Sequence, residues 1–582
     1  MSLARHTPTL GLVLALGCSV LPGTDPDRTR GVPDDATTSQ SGDERAVVCD
    51  TGAALLDLLN HPTTTAGVLQ VIGLHSRAAS ELVAWRNGDD GIPGTTDDRW
   101  FTNLVDVDAV PQVGEVAMAQ IDAHAKRLCP IVVMSPQSYA DSHIQLAIDA
   151  IERAEYSVDI AMYSFRDDGV MSAIQGALDR DLPVRVVYHG AADDRRDPAG
   201  TRSAALEDMG AEVRWINKIM HHKFALIDGP HAHPYEAWRA TVVTGSGNWS
   251  WSAATLFDEN TVSLTGDPRL GLALQQEFNL LWENGRPVEW NEDIAEVPVI
   301  TLTDEEVGAA PGSVVGLTSA NFETYVSSRY GPTFTAIDGS RAVVDMLVGL
   351  ISQADSTIDI ASGHLRFKPV LDALIAQQVA RPDLQIRVYL DGQEYTSEGY
   401  FESELEDYAD CVELATTGEA LTACEDEGAH YGYALHKAGI PIRYKYGSYR
   451  WDYRYAIQMH HKYMLIDGSM VASGSYNISP NAEYGTLENL VVYSAARYPE
   501  LVQAFSANFE HIWETGRTED LYGSLMNEIV SGTESTFPIV FEPMALSWDE
   551  VSALKNTIDA HCPEIDSWEY RSYPSSHKVC ER

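Results

Sequence analysis

The sequence predicts an α/β protein: two duplicated α/β halves that pair within one chain as a pseudo-dimer, preceded by a small helical module. Three observations carry this. MHHKFALIDG (220–229) returns as MHHKYMLIDG (459–468). GSGN (245–248) returns as GSYN (474–477), and the step from Asn248 to Glu259 equals that from Asn477 to Glu488. Strand-like and helix-like segments alternate in the same order around both copies, as duplicated α/β units do.

The runs FALI and YMLI are apolar and close on Asp-Gly, the pattern of a short buried strand ended by a turn. SVDIAMYSF (157–165) and TIDIASGHL (357–365) read as further apolar strands. Each follows a helix-period segment, with Ile144, Ala147, Ile148 and Ile151 in the first and Val343, Met346, Leu347 and Ile351 in the second. After another helical stretch come VRVVYH (184–189) and IRVYLDG (386–392). Strands separated by helices predict a mainly parallel sheet in each half. The halves are placed at 131–300 and 315–524, with a C-terminal appendage at 525–582.

Side chains two apart on a strand share a face, so His221 projects with Lys223 and His460 with Lys462. A purely structural repeat would keep the apolar positions; here His, Lys, Ser, Asn and Glu also recur in register, which specifies a site. Two such half-sites resemble those of the phospholipase D superfamily, and the resemblance implies phosphodiester cleavage. Such cleavage needs a nucleophile on one side of phosphorus and a proton donor on the other, and one imidazole cannot be both. Lys223, Lys462, Asn248 and Asn477 are expected on the non-bridging oxygens, with Ser246 and Ser475 as further donors to phosphate. Asp228 and Asp467, at the strand ends, are expected to support the loop or the lysine. His222 and His461 alternate to the opposite face and are read as packed. No cofactor and no metal is required, and the HAH at 231–233 is read as surface.

HxKxxxxD followed by GSxN, present twice, resembles the phospholipase D superfamily of phosphodiesterases over roughly residues 133–520. The resemblance implies that both half-sites meet at one centre, with His221 as nucleophile and His460 as acid, then as base for water. It also implies that Glu259 and Glu488 bond the far nitrogen of each histidine. The first copy departs from the family spacing by a longer stretch before Gly245, so PHAHPYEAWR (230–239) is expected to enlarge a hairpin. Hydrolysis of phospholipid headgroup phosphodiesters through a phosphohistidine is the implied activity, and an endonuclease acting on DNA or RNA is the alternative.

The apolar run LGLVLALG ends at Cys18 and is too short to span a bilayer. Ala15 to Cys18 resembles a bacterial lipobox, so residues 1–18 are read as a signal peptide, Cys18 as a lipid anchor and residues 19–46 as a flexible tether. The expected location is the cell envelope, as an outer-membrane lipoprotein or a secreted protein. Of seven cysteines, six remain once Cys18 is set aside. Even parity in an exported chain suggests disulfides. Cys411 with Cys424, Cys562 with Cys580 and Cys49 with Cys129 is one of about fifteen connectivities six cysteines allow.

In the module at 47–130, VIGLHSRAASELVAWR (71–86) and VPQVGEVAMAQIDAHA (110–125) resemble helix-hairpin-helix units, a family that often binds nucleic-acid backbones. Each keeps one of the two usual glycines, Gly73 and Gly114, so a structural spacer stands beside a nucleic-acid holder. The connector NGDDGIPGTTDD reads as a solvated acidic loop. With 85 acidic against 40 basic residues the net charge is −45, which repels polyanions at a distance. RYKYGSYRWDYRY (443–455) stands out as basic and aromatic. It suits a lipid headgroup interface, with Arg443, Lys445, Arg450 and Arg454 meeting phosphates, or base stacking, or the decorated edge of a strand. The expected partner is a phospholipid or membrane surface, with nucleic acid as the alternative. No obligate protein partner is called for, and the chain is expected to be a monomer.

Overall fold

The computed structural model describes residues 49–581, apart from 289–299, 328–330, 418–419, 422–423, 425–427, 533–535 and 574–575. The signal segment, Cys18 and the tether lie outside the described residues.

Five helices come first: α1 (Thr51–Asn60), α2 (Ala66–Val71), α3 (Ser76–Arg86), α4 (Leu104–Asp108) and α5 (Glu115–Arg127). They bury Leu58, Leu69, Leu82, Val107 and Ile121 in a core of their own. The α2–α3 and α4–α5 turns pass through left-handed backbone, at Gly73 (φ 108°) and Gln112 (φ 68°). Glycine adopts that conformation freely and glutamine at a cost. Arg86 is buried and donates to the carbonyls of Leu59, His61 and Thr64, pinning α3 to the α1–α2 connection. A Cys49–Cys129 disulfide closes the module.

The first half follows with β1 (Ile131–Ser135), β2 (Val158–Met162), β3 (Val184–Tyr188), β4 (Glu212–Trp215), β5 (Ile219–Met220), β6 (Lys223–Ile227), β7 (Thr241–Gly245), β8 (Glu259–Thr265) and β9 (Arg286–Pro287). Eight of these form one sheet in the order β1-β8-β7-β6-β2-β3-β4-β9. The second half has β10 (Val314–Leu317), a hairpin of β11 (Phe322–Ser327) and β12 (Gly331–Ala336), then β13 (Thr357–Ser362), β14 (Gln385–Asp391), β15 (Ile442–Ser448), β16 (Lys462–Ile466), β17 (Met470–Gly474), β18 (Thr486–Leu487) and β19 (Asn489–Ser494). The chain closes with β20 (Thr536–Pro538), β21 (Val540–Ser547) and β22 (Val579–Glu581). The second sheet runs β10-β19-β17-β16-β13-β14-β15-β21, strand for strand the order of the first.

Neither sheet is mainly parallel. Only β2-β3-β4 and β13-β14-β15 pair in parallel. From the histidine motif onward, β6, β7 and β8 pair antiparallel in turn, as do β16, β17 and β19, because no crossover carries the chain back across the sheet between them. Residues 540–547, placed by the sequence in an appendage, supply the outer strand of the second sheet by pairing with β15. That strand covers an edge that would otherwise expose unpaired amides and carbonyls. The Cys562–Cys580 and Cys411–Cys424 disulfides are both formed.

The two sheets share a core. Helices Pro268–Glu283 and Pro499–Trp513 contribute Leu274, Phe278, Phe505 and Phe509, which pack with Phe224 and Val262 of one half and Tyr463 and Val491 of the other. A core split between halves leaves neither half able to bury its apolar face alone. The long β6–β7 connection has a separate task. It folds as a 3-10 turn, Pro234–Trp238, and sends Trp238 into the helical module's core. His231 is drawn inward rather than left on the surface, its Nε2 lying 2.8 Å from Asp159 Oδ2. Asp159 is itself paired with the fully buried Arg185.

Candidate active site

Both histidine motifs enter their sheets along the seam between the halves. Parallel pairing of β5 with β18 and a bond from the His221 amide to the Leu487 carbonyl (2.9 Å) fix the first. The matching bond from the His460 amide to the Asp258 carbonyl, also 2.9 Å, fixes the second. At the far end of β6, Asp228 sits in left-handed backbone (φ 56°) and accepts from the amides of Glu155, Tyr156 and Ser157. Asp467 (φ 54°) does the same for Asp355, Ser356 and Thr357. Both aspartates therefore hold the entry of the neighbouring strand, away from the lysines.

Each histidine is oriented by the other half. His221 Nδ1 lies 2.7 Å from Glu488 Oε1, and His460 Nδ1 lies 2.7 Å from Glu259 Oε1. Lys223 Nζ is 3.1 Å from His221 Nε2 and donates to the His221 carbonyl, while Lys462 Nζ donates to the His460 carbonyl at 2.9 Å. The charges of both lysines bear on both histidines, so the motifs form one centre. Asn248 and Asn477 are half-buried at this centre's loops, and the Oδ1 of each has no protein partner among the described residues. The serines are placed differently from the phosphate-facing role expected of them. Ser246 is fully buried and donates to Glu259 Oε2 at 2.6 Å, and Ser475, equally buried, accepts from the Asn489 amide at 3.0 Å.

His222 and His461 do point to the opposite face, both fully buried. His222 Nε2 meets Glu277 at 2.8 Å, and its Nδ1 faces Asn489; His461 Nδ1 faces Asn260. Asn260 and Asn489, the second members of the Glu-Asn pairs, thus cross the seam as their glutamates do. Ser473 donates to Asn260 Oδ1 (2.6 Å) and Asn489 donates to Thr244 (3.1 Å).

Electrostatics separate the two half-sites. Burial lowers the His221 pKa to about 3, with Glu488 opposing and the two lysines assisting. Burial and both lysines take His460 well below the ordinary value. Burial pushes Glu259 up to about 7. Burial also works to raise Glu488, but His221 and Lys223 outweigh it and lower that carboxyl.

The surroundings differ too. In the first half, Tyr163 meets the His221 ring edge-on at 4.5 Å and stacks on His189 at 5.0 Å. The second half has Gly363 at the place of Tyr163, followed by His364, whose Nδ1 is 2.9 Å from Glu394, a carboxylate also gripped by Arg366. Across the seam, Lys445 and Asp258 form a buried ion pair at 2.7 Å. Tyr163, His189 and His364 lie in the repeated strand-like segments at positions where the two copies differ, and Lys445 lies in 443–455, so the recurring polar residues alone could not single them out.

The segment 443–455 is not a basic interface. It contains most of β15, with Tyr444 and Tyr446 in the core, and its cations are held by carboxylates: Arg443 by Glu514, Lys445 by Asp258, Arg450 by Asp566 and Arg454 by Asp452. Alternate residues of an interior strand must pack, and this pulls the tyrosines inward. Tyr453 alone among its tyrosines is largely exposed, at 61%.

A family model described as "Cardiolipin synthase, PLD-like domain" matches residues 147–282 and 347–513, together more than half of the chain and one block in each half. The chain belongs to this phospholipase D-like family. Among curated relatives, the mitochondrial cardiolipin hydrolase of Xenopus laevis is 29% identical over 158 residues, 27% of this chain and 69% of that protein. The mitochondrial cardiolipin hydrolase of Homo sapiens is 27% identical over 154 residues, 26% of this chain and 56% of that protein. Among solved structures, the phosphatidylserine synthase of Haemophilus influenzae Rd KW20 aligns over 74% of this chain and 92% of its own, at 12% identity and a TM-score of 0.41. The family model's two blocks span both histidine motifs and Glu259 and Glu488, leaving the helical module and β21 outside.

Proposed function

We propose that this enzyme hydrolyses the headgroup phosphodiester of phospholipids through a covalent phosphohistidine. The observation that carries the reading is the reciprocal pairing of His221 with Glu488 and His460 with Glu259. Glu488 stays ionised and accepts a hydrogen bond from the Nδ1–H of His221, which leaves the Nε2 lone pair free to attack phosphorus. The His460–Glu259 pair keeps one more proton, because burial holds Glu259 near pKa 7. With that proton on the dyad, His460 Nε2 carries a hydrogen for the leaving alkoxide. As the P–O bond breaks, the P–N bond to His221 forms. His460, now deprotonated, takes a proton from water, whose oxygen displaces His221 and returns the starting state. Lys223, Lys462, Asn248 and Asn477 stabilise the equatorial oxygens. Ser246 and Ser475 hold the Glu-Asn pairs where β8 and β19 begin, instead of touching substrate.

The relatives named as cardiolipin hydrolases support a lipid diester as substrate. Lipid attachment through Cys18 and an envelope location belong to the same proposal. A second reading, a nuclease held to nucleic acid by the module, draws on the paired hairpins at Gly73 and Gln112. One experiment separates them: the purified chain is assayed with excess chelator on cardiolipin, phosphatidylglycerol and single- and double-stranded DNA. Headgroup release from lipid, with a phosphohistidine trapped in acid-labile form at His221, supports the proposal. Cleavage of DNA alone overturns it in favour of the nuclease.

A further inference from the structure

Beside the first half-site lies a cleft of about 700 Å³, between helix Ala191–Asp194, the end of β4 and β5. It adjoins the catalytic centre in two ways. Ile219 on its wall is in the strand that leads directly to His221, and His189 on its lining stacks on Tyr163, which touches His221. It also meets the seam, because Lys218 donates to the Tyr484 carbonyl of the second half.

The cleft's charge is anomalous for this molecule. Acidic residues outnumber basic ones two to one, yet Arg195, Arg196 and Lys218 line this space. Arg196 is held by Asp193 at the rim. Arg195 forms no ion pair among the described residues; its guanidinium lies 5.1 Å from the centre of the Trp215 ring. Arg286 lies 4.8 Å from the same indole. Its Nε and Nη2 are buried without a protein partner among the described residues, as is Trp215 Nε1. Burial and then the neighbouring Arg195 charge lower the Arg286 pKa. Arg195, on the cleft's lining and without an ion pair among the described residues, is a donor that a bound anion completes, and Arg286 adds positive charge beside the same indole. Beside the polar His189 and Asn217, the wall carries Ala192, Trp215, Ile216 and the exposed Ile219, an apolar stretch that suits an amphiphile.

We infer that this cleft is a second anion subsite, which holds a phosphate a few bonds from the scissile one and so favours lipids that carry two phosphates, as a bis-phosphatidyl glycerol does. The inference rests on the lipid reading above and deepens it.

The test uses the full chain and the variant Arg195→Glu, an exposed position, with thermal unfolding as the check on folding. Short-chain cardiolipin and short-chain phosphatidylglycerol are compared at fixed salt. KM for cardiolipin should rise about tenfold or more, with kcat and the phosphatidylglycerol constants unchanged. In a separate arm, glycerol 1,3-bisphosphate and glycerol 1-phosphate compete with hydrolysis of bis(4-nitrophenyl) phosphate. The bisphosphate should inhibit the wild type about tenfold better, and the variant should lose that advantage. No bisphosphate advantage in the wild type, or equal loss on both lipids, overturns the subsite while leaving lipid hydrolysis standing. If neither lipid is cleaved, the lipid reading fails and the inhibitor arm alone decides the subsite. A variant slowed only on a single-stranded oligonucleotide also overturns the inference.

Discussion

Glu259 and His460 are 201 residues apart in sequence and 2.7 Å apart in space, one from each half of the duplication. The carboxyl is fully buried and pushed up to about 7, so below that pH the pair holds an extra proton and above it the proton is lost. If His460 is the acid, kcat/KM should fall as pH rises through about 7. Glu259→Gln cannot supply that titration, so the limb should move away from 7 while the overall rate drops. An unmoved limb in the variant would assign the titration elsewhere.

The partner pair predicts non-additivity. Glu488→Gln should cost on the order of 10²–10⁴ in rate by misplacing the His221 tautomer. His221→Ala should cost at least as much, since it removes the nucleophile. Because both act through one imidazole, the double variant should be no slower than His221→Ala alone. Multiplicative losses would mean that Glu488 acts on something other than His221.

A third prediction concerns stability and the unequal environments of matched arginines. Arg185 is fully buried, bidentate on Asp159, and stacked over Phe278 and Trp282. Its counterpart Arg387 is bidentate on Asp359, bonds Glu510 and remains partly exposed. Arg185→Leu leaves a buried carboxylate and should cost about 3–5 kcal/mol. Arg387→Leu leaves carboxylates that water can reach and should cost clearly less. Urea unfolding of both variants checks the order.

Trp238 gives the fourth. It leaves the catalytic half to enter the helical module's core, so Trp238→Ala should weaken docking by about 3–5 kcal/mol. Proteases should then cut the 49–130 region first, while hydrolysis of a small soluble diester stays near normal. Reducing Cys49–Cys129, which closes a loop across the module, should amplify the effect by about 2–5 kcal/mol.

The duplicated sheets and their shared centre were legible because catalysis writes polar residues into otherwise apolar strands. His221, Lys223, Glu259 and their counterparts recur in register and meet in space. What local pattern could not show is which half each glutamate serves, because crossing the seam leaves no trace in spacing. Of the readings open for 443–455, the strand is the one the fold supports, and composition alone could not choose it. Basic and aromatic composition looks like an interface until β21 pairs along β15 and buries Tyr444 and Tyr446. Trp238 and His231 were equally hidden, since an insertion's length says nothing of what it packs against.

Arg195 and Arg286, without ion pairs among the described residues, belong to the first half. The place of Trp215, the indole both approach, is taken in the second half by Tyr444 of β15, buried in the core. In an assembly of two identical chains every feature near the axis occurs twice, and a substrate can lie across it in either direction with equal ease. Joining the copies into one polypeptide lifts that constraint. Each copy can then drift without its twin, and the diester is given a head end and a tail end, with one bond orientation favoured for cleavage.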